Sequence, residues 1–201
     1  MSPKEVLALN DGDFKQYDFE HPSVLFILED KLKGLLGGLL LYGKYFKTFG
    51  LKGNEKVLDF GCGGGAGSRC LANLLIKGGH LTCVDVSRYW IQKARNRLKK
   101  YSNVDCKAGD IRELDIPDSS FDIISVIHVI HDIAPADRPD IVKTLFQKLK
   151  AGGLFFIREP IKKSHGMPVE EIRTLLSGGG LKEIGHKETK SEYMGKYQKS
   201  G

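Results

Sequence analysis

Apolar residues fall into short runs that alternate with helical patterns along most of the chain. Five runs, each bounded by turn residues, predict strands: Val57–Phe60, Leu81–Val84, Val104–Ala108, Phe121–Ile127 and Leu154–Ile157. Two weaker strands are predicted near residues 181–187 and 192–198. Strands that alternate with helices favour a parallel sheet. We therefore predict an α/β fold, with a doubly wound, mostly parallel seven-stranded sheet and helices on both faces.

Helical spacing is found between these runs. Leu71, Leu74 and Leu75 share one helical face, and Ser87 is a good N-cap for a helix that carries Ile91, Ala94 and Leu98. Two later helices are predicted over residues 141–149 and 170–176. The pattern over residues 1–50 predicts some helix, and these residues precede all the predicted strands, so we predict an N-terminal cap or lid segment over 1–50 and one domain over 51–201.

Composition narrows the class of protein. The 201 residues carry a formal net charge of +6, but the C-terminal lysines alternate with polar residues rather than with stacking aromatics, which does not favour a nucleic-acid partner. The apolar stretch Leu35–Leu41 is too short to cross a bilayer, and no leader pattern precedes it. Four cysteines lack metal-ligand spacing. We expect a cytoplasmic protein with free thiols and no metal site; nothing indicates its oligomeric state.

The richest motif is the turn after the first strand. Gly61, Gly63 and Gly65 follow Asp59 at alternate positions, which allows a tight turn and the close approach of a ligand. Gly61, Gly63 and Ala66 also satisfy the dinucleotide pattern G-x-G-x-x-A. Asp59 argues against a pyrophosphate, because like charges repel, and favours a cationic ligand. Asp85, after the second strand, suits ribose hydroxyls in either case.

From Asp59 to Gly65 the chain resembles the class I S-adenosylmethionine-dependent methyltransferases, whose first motif reads D/E-x-G-x-G-x-G. Residues 108–122 are similar to the family pattern G-D-x-x-x-L-P-F-P-D-x-S-F-D and depart from it at Asp115. The resemblance, closest to small-molecule, methyltransferase-11-like members, implies a Rossmann-like methyltransferase fold. It also implies S-adenosylmethionine as cofactor, S-adenosylhomocysteine as product, and in-line methyl transfer to a small molecule.

The same resemblance implies roles for single residues. Asp85 would bind the ribose, Asp110 the adenine amino group, and the backbone N–H of Ile111 the adenine ring. Trp90 and Val86 are candidates for the wall against the base. The full set of predicted cofactor-binding residues is Tyr17, Asp59, Gly61, Cys62, Gly63, Gly65, Asp85, Val86, Trp90, Asp110, Ile111 and Ile127.

Chemistry at the methyl group is less clearly marked. His128 directly follows the fourth strand, and a neutral imidazole accepts protons near pH 7, so it is the first candidate for a base. Glu159 and His165 are further candidates, whereas His131 matches a family histidine that is commonly structural. Two alternatives stay open: a non-catalytic module that binds S-adenosylmethionine or S-adenosylhomocysteine, and a nicotinamide-dinucleotide oxidoreductase.

Overall fold

The computed structural model describes residues 18–32, 42–162 and 165–201. Its helices are α1 (Val24–Leu32), α2 (Gly43–Lys47), α3 (Ala66–Leu74), α4 (Arg88–Leu98), α5 (Arg138–Lys148) and α6 (Val169–Gly178), with a short 3-10 helix at Ile130–Asp132. Its strands are β1 (Lys56–Phe60), β2 (His80–Asp85), β3 (Val104–Ala108), β4 (Phe121–Ile127), β5 (Leu149–Lys162), β6 (His165–Gly166), β7 (Leu181–Glu188) and β8 (Glu192–Lys199). No described helix is long and apolar enough to cross a membrane.

The sheet has the order β3-β2-β1-β4-β5-β8-β7, and β6 pairs separately with β5. The first five strands of that order are parallel, while β8 runs antiparallel between β5 and β7. The predicted mostly parallel sheet of about seven strands is thereby confirmed. The strand order reverses between β1 and β4. Ligands bind at such a switch point in open α/β sheets.

Two hydrophobic cores lie on the two faces of this sheet, because successive strand residues point to opposite sides. Val57 of β1 packs in one core with residues of α2, α3 and α4, whereas its neighbour Leu58 packs in the other with residues of α5 and α6. Strand β4 repeats the pattern with Ile123 and Ile124. A strand buried on both faces explains the nearly continuous apolar run over β4.

Two local predictions differ from the structure. Leu74 does not share the buried face of Leu71 and Leu75, because α3 ends at Leu74 and leaves this side chain 38% exposed. The fifth strand begins earlier and ends later than its apolar run, since it includes Gly152 and Gly153 at a bulge and continues to Lys162. That extension carries Arg158, Glu159 and Pro160 to the sheet edge where β4 ends.

Candidate functional site

A cavity of about 710 Å³ lies at the carboxyl ends of the parallel strands. Each of β1, β2, β3, β4 and β5 ends at its wall, so residues distant in sequence meet there. Its lining includes many of the predicted site residues: Gly61, Cys62, Gly63, Asp85, Val86, Trp90, Asp110, Ile111, Ile127, His128 and His165. This volume falls within the usual range for small-molecule sites.

The glycine turn forms one end of the cavity. Gly61 and Gly63 both have a left-handed backbone, with φ of 69° and 51°. A Cβ on Gly61 would lie 2.3 Å from Val129 Cγ2, whereas a Cβ on Gly63 would meet no atom within 4 Å. Gly65 is the N-cap of α3 and packs against Ala94 and Leu98 rather than lining the cavity. The three glycines therefore serve different needs: close packing at Gly61 and Gly65, and open space at Gly63.

Asp85 is tied to this turn. Its Oδ2 accepts a hydrogen bond from the Gly63 backbone N–H at 2.8 Å, and its Oδ1 accepts one from Ser87 N–H at 3.0 Å. Burial raises the pKa of this carboxyl, and the two backbone bonds partly offset that rise. A carboxylate oxygen with one such bond still has a lone pair for a ligand hydroxyl.

The adenine-side candidates lie directly after β2, on α4 and in the turn after β3. Trp90 is buried in the first turn of α4 and lines the cavity together with the exposed Val86. Asp110 is held by Arg112, whose Nε lies 3.0 Å from both of its oxygens. Hydrogen bonding to Arg112 keeps the pKa of Asp110 below its usual value, so this carboxylate stays ionised at neutral pH.

Asp59 lies behind the glycine turn and not on the cavity wall. It is 5% exposed, and its Oδ2 accepts a hydrogen bond from Ser68 Oγ at 2.6 Å. Burial raises its pKa to about 6, and the Ser68 bond opposes this only in part. The folded protein without ligand therefore carries a costly negative charge at neutral pH.

Replacing Asp59 with asparagine should make the ligand-free protein more stable at neutral pH. A folded pKa above the unfolded value gives stability that is present at low pH and lost as pH rises through about 6. The asparagine variant lacks this loss, so its advantage should grow between about pH 4 and 6 and reach up to about 3 kcal/mol. Thermal unfolding from pH 4 to 8 measures the difference, and an advantage that does not vary with pH would contradict the reasoning.

Histidines and carboxylates surround the opposite end of the cavity. His128 has a left-handed backbone, with φ of 57°, which is uncommon for a residue with a side chain. Its Nε2 lies 2.8 Å from Glu192 Oε1, and Arg158 binds both oxygens of the same glutamate. Desolvation lowers the pKa of His128, and the bond to Glu192 only partly offsets it, so the imidazole is neutral at pH 7.

Glu159 does not reach the cavity. It is fully buried, and its Oε1 accepts the backbone N–H groups of Val129 and Ile130, each at 2.9 Å. Its Oε2 lies 2.6 Å from Nδ1 of His131, which does line the cavity. His165 lies beyond β5, with its Nε2 3.1 Å from Nε2 of His131. The structure thus groups His131 with the predicted candidates and puts Glu159 behind it, away from the cavity.

The segment before β1 supplies a further wall that motif analysis missed. Phe19, Phe26, Asp30 and Tyr42 line the cavity. Asp30 forms an ion pair with Arg97 of α4 at 2.8 Å, and Arg97 also donates to the carbonyl of Gly64. Tyr17, a predicted cofactor-binding residue, and the apolar stretch Leu35–Leu41 lie outside the described residues. The predicted cap or lid segment over residues 1–50 includes the four wall residues, but no motif singled them out.

Comparison with known proteins gives consistent matches. Residues 57–153 match the methyltransferase domain family. Phosphoethanolamine N-methyltransferase 1 of Zea mays is 28% identical over 188 residues, which are 88% of this chain and 36% of that protein. Ubiquinone biosynthesis O-methyltransferase of Idiomarina loihiensis is 30% identical over 148 residues, 73% of this chain and 52% of that one. The chain therefore spans about a third to a half of the length of these two relatives.

Among solved structures, a SAM dependent methyltransferase from Aquifex aeolicus superposes with a TM-score of 0.73. The superposition covers 91% of this chain and 99% of that one at 22% identity. At that identity the likeness supports the fold alone.

Proposed function

We propose that this chain, which belongs to the class I S-adenosylmethionine-dependent methyltransferases, transfers a methyl group from S-adenosylmethionine to a small-molecule acceptor by in-line displacement. The observation that carries the proposal is the single cavity that runs from the glycine turn and Asp85 to His128 and His131. One end has the features of a cofactor site, and the other offers proton acceptors to a second molecule.

The residues at the glycine turn suit the cofactor. Open space beside Gly63 leaves room for a ligand against the backbone, and Asp85 offers carboxylate oxygens next to that space. In this proposal Asp85 binds the ribose hydroxyls, Asp110 and Ile111 the adenine edge, and Trp90 and Val86 the faces of the base. Cys62 and Ile127 complete the wall, and the buried charge of Asp59 favours a cationic group nearby.

The remaining residues position the acceptor and take its proton. S-adenosylmethionine, when bound, supplies an electrophilic methyl group on a sulfonium. Because Glu192 accepts a hydrogen bond from Nε2 of His128, the neutral ring has its lone pair on Nδ1, which serves as the proton acceptor. The walls formed by Phe19, Phe26 and Tyr42 exclude water from the reacting atoms.

Binding measurements test the cofactor half of the proposal. Calorimetry should detect S-adenosylmethionine and S-adenosylhomocysteine and give much weaker binding of NADH. Asp85→Ala should weaken S-adenosylhomocysteine binding by at least about tenfold, because charge-assisted bonds to both ribose hydroxyls are lost.

Asp105→Ala is the matched control for Asp85→Ala. Asp105 lies on the neighbouring strand β3 and bonds the surface residue His80 rather than the cavity wall. The affinity of the Asp105→Ala protein for S-adenosylhomocysteine should equal that of the wild type. Tight NADH binding, or an unchanged dissociation constant in a folded Asp85→Ala protein, would contradict the assignment. A panel of small-molecule acceptors then separates an enzyme from a non-catalytic binding module.

A further inference from the structure

We propose that His131, Asp132 and His165 form a binding site for a divalent first-row transition-metal ion at the acceptor end of the cavity. One ligand atom from each of these side chains lies within 4.8 Å of the other two. All three residues line the cavity. No sequence spacing suggested a metal site, because the three ligands come from two separate segments that only the fold brings together.

The distances between the ligand atoms suit a shared ion. Nε2 of His131 lies 3.1 Å from Nε2 of His165 and 3.4 Å from Oδ1 of Asp132. Two ligands at metal distances of about 2.0–2.2 Å, with angles between 90° and 110°, lie roughly 2.9–3.5 Å apart. Two of the three pairs of ligand atoms are therefore already at distances that suit a shared ion, and the third pair lies within 4.8 Å.

His131 is oriented for coordination by a carboxylate behind it. Its Nδ1 lies 2.6 Å from Oε2 of Glu159, so Nδ1 carries a proton, and in the neutral ring the lone pair of Nε2 is on the side of His165 and Asp132. Glu159 is itself fixed by the backbone N–H groups of Val129 and Ile130. Metal-ligating histidines typically donate their second ring N–H to such a buried carboxylate.

The backbone of β6 holds His165 on the side of the proposed site opposite His131. His165 and Gly166 form β6, which pairs antiparallel with Ile161 and Lys162 at the end of β5. A Cβ on Gly166 would lie 2.3 Å from the carbonyl oxygen of Pro160, and Gly166 has a φ of 151°. Glycine thus allows β6 to lie close against the end of β5, with His165 beside His131.

The ligand set indicates the kind of metal and its use. Two imidazoles and one carboxylate suit zinc, iron, cobalt or nickel better than magnesium or calcium. Three protein ligands leave positions open to the cavity, as in catalytic metal sites. If the proposed function holds, the ion would bind a hydroxyl oxygen of the acceptor and lower the pKa of that hydroxyl, and His128 would then accept its proton. That role depends on the proposed function, whereas metal binding does not.

Direct metal binding tests the site without any turnover assay. Purified protein without a polyhistidine tag is titrated with Zn²⁺ and with Mg²⁺ by calorimetry. Co²⁺ is added in parallel, since its visible spectrum distinguishes imidazole and carboxylate ligands from thiolates. We expect one Zn²⁺ site, much weaker Mg²⁺ binding, and a Co²⁺ spectrum without thiolate bands.

Variants locate the site. His165→Ala, at an exposed position, and Asp132→Asn should each weaken Zn²⁺ binding by at least about tenfold, and Glu159→Gln by about 10–100-fold. His80→Ala is the control, because it removes a surface histidine that does not line the cavity. Nε2 of His80 lies 2.9 Å from Oδ2 of Asp105.

Two results would overturn the proposal: no Zn²⁺ or Co²⁺ binding by the wild type, or equal Zn²⁺ affinity in the wild type, His165→Ala and Asp132→Asn. The first would mean that His131 and His165 simply share a proton. S-adenosylhomocysteine binding, measured on the same samples, reports separately on the proposed function.

Discussion

Replacing His128 with alanine is expected to lower methyl transfer by about 10²–10⁴-fold, the usual contribution of a positioned general base. Affinity for S-adenosylhomocysteine should stay close to that of the wild type, because Asp85 and the glycine turn lie on other strands. Both values are measured with any acceptor that the wild type methylates, together with calorimetry of the product. His80→Ala again serves as the control, since it removes an imidazole away from the cavity.

The pH dependence separates a base from a residue that only lines the cavity. His128 must be neutral to accept a proton, so wild-type turnover should fall as pH drops through its pKa. Desolvation lowers that pKa, which puts the acid limb below about pH 6.5. The alanine variant should lose this limb. If it keeps both the wild-type rate and the limb, His128 is a lining residue and the next histidine to replace is His165.

A matched pair of glycine variants should separate stability from cofactor binding. Gly61→Ala should cost about 2–5 kcal/mol of unfolding free energy, because it combines a left-handed alanine with a clash against Val129. Gly63→Ala has the same backbone strain but no clash, so it should cost only about 1–2 kcal/mol. Its methyl group points into open space at the cofactor end and should weaken S-adenosylhomocysteine binding by more than about tenfold.

Urea unfolding and calorimetry on both proteins provide the two readouts. A double variant, Gly61→Ala with Val129→Ala, removes the two closest contacts and should show a favourable coupling energy in a double-mutant cycle. Equal losses of stability in the two single variants would refute the packing role of Gly61. Unchanged product affinity in a folded Gly63→Ala protein would refute the location of the cofactor.

Most of the parallel half of the sheet is predictable from sequence because its inner strands β1, β2 and β4 are buried on both faces. Runs such as Phe121–Ile127 have apolar side chains on both sides, and Ser87 caps α4 by accepting a hydrogen bond from Trp90 N–H. The position of β8 is harder to predict. Its residues alternate between buried and partly buried positions. Only glycine fits at position 195, because a Cβ there would lie within 3 Å of the side chains of Tyr193 and Tyr197. That contact depends on local packing that leaves no periodic pattern.

The cofactor end of the site is also visible in the sequence, since its residues lie in short motifs after successive strands. The acceptor end is not, because its contacts join distant segments. Glu159 and His131 are 28 residues apart in the sequence. Nothing in either motif shows that the carboxylate of Glu159 is buried behind the imidazole ring of His131. The predicted catalytic role of Glu159 remains untested, but its full burial makes it a positioning residue in our proposal.

The ion pair between Asp30 and Arg97 connects two events that are usually considered separately. Arg97 also donates to the carbonyl of Gly64, so helix α1 is tied to the loop proposed to hold the cofactor. Binding equilibria are reciprocal. If the contact between α1 and this loop increases the affinity of the loop for a ligand, then the bound ligand stabilises that contact by the same factor. Cofactor affinity and the order of the N-terminal helix are then two measures of one coupling free energy.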